Sequence, residues 1–134
     1  MLLILLLIVT IVEIFTPYLI YIIAPGFLED QIKFNLAVEL TRITFPFLLF
    51  VSLASFFSGI LNSNNRFAAA AAAPIILNLI LIGSLFFSYF YNLNYAKQLS
   101  YGVTFAGIIQ LIFLIIFSKK YYKPSLKFKI KFNK

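Results

Sequence analysis

The sequence predicts an all-α membrane protein, a multi-span helical chain that crosses the bilayer about four times. Three observations carry that expectation. Hydrophobic residues make up 63% of the 134 positions and charged residues 11%, with a mean hydropathy of +1.02, whereas a soluble domain carries about 25% charged residues. Four apolar runs, over residues 1–23, 43–61, 71–91 and 99–117, each match the ~20 helical residues a bilayer core requires. Runs such as LLILLLIVTIV and LIFLIIF do not alternate apolar with polar, so they are not barrel strands. Backbone amides in hydrocarbon must be bonded within their own segment, which leaves helices.

The first run begins at Met1 with no basic residue before it and no small-x-small pattern after it, unlike a cleaved signal peptide. It reads as a helix that begins inside a longer helix, so the chain is expected to be a piece of a larger protein. Pro17 should kink or break this run. Glu13 is the one acid within a span, and an intramembrane acid is a functional candidate.

The link PGFLEDQIKFNLAVELTR follows. Within it Ile32, Leu36 and Leu40 share a helical face, which fits a periplasmic interfacial helix over residues 31–40 or an ordinary solvated helical turn. Arg42 opens the second span; its side chain either reaches an anionic headgroup or snorkels to the interface. Glu13 and Arg42 are therefore the candidates for substrate contact. Pro46 should interrupt the second span.

Ser52, Ser55, Gly59 and Asn62 fall in one sector of that second span. Lipid gives no reason to gather small and polar residues on one side, but a neighbouring helix does. A packing seam and a polar path for substrate are the two readings. The fourth span repeats the habit with Gly102, Ala106 and Gln110. Before the third span six alanines run from Ala68 to Ala73, a smooth surface that lets another helix approach closely, or a low-complexity product of biased composition. Pro74 takes away the bond its amide would give the Ala70 carbonyl, and Asn78 lies one turn further on.

Charge sets the orientation. Seven of the eleven basic residues lie at or after Lys119, and no acid follows Glu39. The positive-inside rule puts this tail, residues 119–134, in the cytoplasm. The four-helix segment, residues 1–118, then has NSNNRF inside and both the PGF link and NLNYAKQ outside, with Lys97 as a mild dissent. A basic end on an apolar body points to anionic membrane lipids as partners, not nucleic acid. With no histidine or cysteine, metal ligation, disulfide and thiol chemistry lack their usual residues. No phosphate-binding glycine loop or paired carboxylates are visible. Neither a catalytic residue, a metal nor a cofactor is expected, and the chain is not expected to be an enzyme.

TPYLIYIIAPGF, LTRITFPFLLFVSLASFFSGILNSNNRF, APIILN and GIIQL together resemble the MurJ/MviN family, lipid II flippases of the multidrug/oligosaccharidyl-lipid/polysaccharide exporter superfamily. The resemblance runs to about Tyr121. It implies that these spans are the third to sixth of about fourteen helices, in the N-terminal lobe of a larger flippase fold. It further implies outward movement of undecaprenyl-pyrophosphate-linked peptidoglycan precursor across the bacterial inner membrane by alternating access. Pro25, Gly26, Phe27, Pro46, Asn62, Phe67, Pro74 and Asn78 match motif positions and, with Gly59 of the seam, are read as structural. Ala70 and Ala72 replace a proline and an aromatic of the family pattern, which puts the start of the third span in question. The arginines that meet pyrophosphate in this family lie on helices one, two and eight, so no substrate residue is carried over. Four helices do not enclose a headgroup path through a ~30 Å core; transport would need the missing helices or a partner chain. The alternatives are a polysaccharide-unit or multidrug exporter of the same superfamily, or a small non-transporting membrane subunit that packs against a partner.

Overall fold

The computed structural model describes residues 1–121, and over them the chain is a sequence of helices. Helix α1 spans Leu2–Ile23 and α2 spans Gln31–Thr44, with a single 3-10 turn at Pro25–Glu29 between them; α3 (Phe47–Ser63), α4 (Phe67–Phe90) and α5 (Tyr95–Ser118) follow. Among the described residues there is no strand. Four stretches are long and apolar enough to cross a membrane: α1, the joined α2–α3 unit Gln31–Ser63, α4 and α5. The basic tail expected from residue 119 onward is described only as far as Tyr121; from Tyr122 it lies outside the described residues.

Local chemistry places the helix ends. Pro25 starts the 3-10 turn, where its missing N–H would have had no partner anyway. Asp30 caps α2, its Oδ1 accepting from the Ile32 and Lys33 amides at 3.0 and 3.3 Å. Asn65 and Asn92 both take left-handed backbone conformations, φ 58° and 50°, which asparagine tolerates better than most residues. Each closes a helix in the same manner: the Arg66 amide reaches back to the Leu61 carbonyl at 2.8 Å, and the Leu93 amide to the Ser88 carbonyl at 3.0 Å. Asn94 then caps α5 through the Lys97 amide.

The prolines act differently from one another. Pro17 stands inside an unbroken α1 and has no N–H for the Glu13 carbonyl. The buried Thr16 hydroxyl donates instead, to Val12 O at 2.6 Å and Glu13 O at 3.2 Å. Pro74 likewise stands inside α4, which begins at Phe67 and runs through all six alanines. Pro46 does interrupt. Helix α2 ends at Thr44, beyond the expected residue 40, and Phe45 and Pro46 form a turn whose dihedrals stay in the right-handed helical region. The joined unit of 33 residues is ~50 Å long at 1.5 Å per residue, well over the ~30 Å of hydrocarbon. Part of α2, from Lys33 at its start, therefore extends beyond the apolar core.

Helix α5 is the hub. It packs most extensively on α4 and α3 and also touches α2, and 33% of its apolar window is buried against 6–11% for the other spans. Ala54, Phe57 and Leu61 of α3, Ala73 of α4 and Leu114 of α5 form the core, with Ala69, Ala70 and Leu111 packed against it. Outward faces carry Ile22, Phe86, Phe90 and many other large apolar side chains in the open. Water would penalise a surface of that kind heavily, whereas hydrocarbon does not.

Candidate functional site

Two seams expected from sequence are treated differently by the fold. On α5, Gly102, Ala106 and Gln110 are all buried. A Cβ at Gly102 would run into Ser84 of α4, and Leu81 lies just beyond. Serine there is kept compact by donating to its own Ile80 carbonyl at 2.9 Å. This face is buried along its length, and at Gly102 it is a packing seam against α4.

A second close approach on α5 was not legible from the spacing. A Cβ at Gly107 would stand 2.6 Å from the Phe47 ring and 3.1 Å from the Phe50 Cβ, so Gly107 seats the start of α3. Nearby, the Thr104 hydroxyl donates to the Ile43 carbonyl. The Phe45–Pro46 turn interrupts the helical ladder there, and α5 takes up the carbonyl that is left. The signal in sequence would have been a threonine one helical turn from a glycine, opposite a proline on another span, and neither half points at the other.

Helix α3 presents its small and polar sector to the outside. Gly59, Ser55 and Asn62 are exposed, and nothing lies within 4 Å of a Cβ built at Gly59. A groove of about 570 Å³ follows Ser55, Gly59 and Ser63. Both serines donate to their own helix, Ser55 to Val51 O at 2.8 Å and Ser63 to Gly59 O at 2.9 Å. Their hydroxyl protons are thereby used locally, and the sector presents a smooth surface more than a row of waiting donors.

Glu13 lies midway along α1, half-buried, and Arg42 lies exposed in the last turn of α2. Arg42 is close enough for its charge to act on Glu13, yet the two do not form a salt bridge. One carboxylate oxygen of Glu13, Oε1, is buried with no hydrogen-bond partner among the described residues, and the same is true of Gln110 Oε1 on α5. The ion pairs of the described residues are Asp30–Lys33 at 3.6 Å and Glu39–Lys97 at 2.5 Å. The latter joins α2 to the start of α5, so the PGF link and the α4–α5 link share one end of the bundle. At the other end the Arg66 Nε donates to the Tyr121 hydroxyl at 2.8 Å.

The motif residues lie mostly on the surface of the four-span unit. Pro25, Gly26, Phe27, Gly59, Asn62, Phe67, Pro74 and Asn78 are exposed, and Pro46 is half-buried. Among the described residues, no group of three or more acids that could hold a metal ion is present.

The family model described as lipid II flippase MurJ matches residues 1–134. Curated relatives match as well. The probable lipid II flippase MurJ of Rhizobium tropici is 44% identical over 117 residues, which is 84% of this chain and 22% of that protein. The probable lipid II flippase MurJ of Rickettsia prowazekii (strain Madrid E) is 44% identical over 120 residues, 87% of this chain and 23% of that protein. The lipid II flippase MurJ of Burkholderia cenocepacia is 33% identical over 95 residues, 71% of this chain and 18% of that protein. The chain thus spans less than a quarter of the length of these relatives.

Proposed function

The chain belongs to the MurJ family of lipid II flippases, and on that premise we propose that it supplies four spans of a transporter for lipid-linked peptidoglycan precursor. It is a multi-pass membrane protein. In the proposed role the complete transporter moves undecaprenyl-pyrophosphate-linked precursor outward across the bacterial inner membrane by alternating access. No covalent bond is made or broken. The observation that carries the reading is the family match along the whole chain. Relatives described as lipid II flippases favour that cargo over the polysaccharide and drug substrates of the wider superfamily, and over a non-transporting subunit.

Within such a machine these helices act as scaffold. The α5 hub and its two glycine contacts hold α3 and α4 as one unit, and the exposed motif faces are available to the remaining helices. The open sector of α3, with Gly59 and Asn62, is the natural seat for a helix from outside this chain. Glu13 and Arg42 remain the proposed points of contact with polar cargo, on the ground that a buried carboxylate oxygen without a donor is costly in hydrocarbon.

The proposed orientation has Arg66, Lys119 and Lys120 in the cytoplasm and the PGF link in the periplasm. Lys97, which by the positive-inside rule belonged on the other side, is balanced by Glu39 and weighs little against that orientation. A chimera tests the function. The chain would replace the matching segment of the Rickettsia prowazekii relative, and lipid II translocation would be measured in proteoliposomes. Retained translocation is expected. Loss of translocation in a chimera that inserts and folds normally would contradict the assignment.

A further inference from the structure

We propose that the end of the bundle where α3, α4 and α5 meet is a binding site for an anionic phospholipid, its phosphate held by Arg66 and Lys120. A cavity of about 530 Å³ opens there. Its polar wall carries Arg66, Lys120 and Tyr121, and its apolar floor is made by Phe113, Phe117 and the alanine run at Ala72. The alanines are what make the space: each offers one methyl group where a longer side chain would fill the hollow. The run is thus used twice, with Ala69, Ala70 and Ala73 packed inward and Ala72 lining the cavity.

The polar wall is arranged for an anion. Arg66 Nε donates to the Tyr121 hydroxyl at 2.8 Å, and the guanidinium carbon lies 6.0 Å from the centre of that ring. This fixes the guanidinium through its inner nitrogen and leaves the two terminal nitrogens as a fork, the geometry that grips a phosphate through two parallel bonds. Tyr121 accepts from Arg66 and keeps its own proton to donate.

The described residues supply no countercharge at this end. No acid follows Glu39 in the sequence, and the ion pairs among the described residues belong to Asp30 and Glu39, at α2. The anion must come from outside the chain. The floor decides between a lipid and a soluble phosphate: Phe117 is half exposed on the outward face of α5, so the apolar surface continues from the cavity onto the lipid-facing side. An acyl chain can follow it, and a free phosphate gains nothing from it. The proposal does not depend on which cargo the complete transporter carries.

The test uses the full chain in mixed micelles of phosphatidylglycerol and phosphatidylcholine, with bound lipid counted by native mass spectrometry. All forms carry glutamine at Lys123, Lys127, Lys129, Lys131 and Lys134, so that the tail does not mask the site. Arg66→Gln should lower retained phosphatidylglycerol on the order of tenfold, the effect of losing one charge-assisted bond pair. Ala72→Leu, which fills the cavity and leaves every charge in place, should lower it similarly. Lys33→Gln, a cation at the other end of the bundle, should leave it unchanged. Equal loss in Lys33→Gln, or undiminished retention in Ala72→Leu, would overturn the proposal. If Arg66→Gln loses helicity, the Ala72→Leu result decides. Displacement of the lipid by millimolar inorganic phosphate would also overturn it, in favour of a soluble-anion site.

Discussion

Three glycines make the residue-scale case, because an added side chain meets something different at each. At Gly107 it meets the Phe47 ring and Phe50, at Gly102 it meets Ser84, and at Gly59 it meets nothing. Gly107→Leu should therefore destabilise the chain by about 1–3 kcal/mol, the usual cost of overpacking, measured as loss of helicity during denaturation in micelles. Gly59→Leu should not destabilise this chain, since nothing stands in the way and leucine is the better helix former. In the chimera with the longer relative, where other helices are present, the same substitution should be disruptive. Equal effects in both settings would mean that the α3 sector faces lipid. The four-residue repeat of Gly102, Ala106 and Gln110 could be read from sequence because it is a property of one helix. Gly107 could not, since it is offset from that row and its contact is with an aromatic on another span. Glu13 and Arg42 were both legible as charges in an apolar chain, but their proximity depends on how α1 lies against α2.

At the scale of elements, the helices and their ends follow from local chemistry. Asn65, Asn92 and Asn94 stand where helices stop or start, and the apolar runs between them are uninterrupted. What sequence could not give is which proline interrupts a helix. Pro17 and Pro74 are carried inside α1 and α4, and Pro46 separates α2 from α3. At Pro17 the freed carbonyl meets a local hydroxyl from Thr16. At the Phe45–Pro46 turn the Ile43 carbonyl meets Thr104 from α5, a partner 61 positions away. The second tie between these elements is Glu39–Lys97, whose side chains are about half exposed, 47% and 44%. A pair so open to solvent contributes little, because water screens both charges. Glu39→Lys should lower stability slightly through repulsion of Lys97, and adding Lys97→Glu should restore it. Destabilisation that the second substitution does not relieve would mean that the two residues do not meet.

Over the described residues the chain is four spans, with α3 and α4 packed on α5 and α1 set against α2 and α3. Glu29, Asp30 and Glu39 lie toward one end and the unpaired Arg66, Lys119 and Lys120 at the other. That division is written in the sequence, since every acid precedes Arg42 and seven of eleven cations lie at or after Lys119. The cytoplasmic leaflet is anionic, and each lysine near it contributes about 1 kcal/mol of attraction. A peptide of the tail, KKYYKPSLKFKIKFNK, should bind anionic liposomes and be released as salt rises; salt-insensitive binding would contradict an electrostatic attachment. The most direct test of the central claim uses the absence of native cysteine. Single Gly26→Cys and Asn64→Cys variants would be treated with a membrane-impermeant maleimide in intact and in permeabilised cells. Gly26→Cys should be labelled in both, and Asn64→Cys only after permeabilisation. Labelling of Asn64→Cys in intact cells, or of neither site until permeabilisation, would contradict a chain that crosses the membrane four times with its basic end inside.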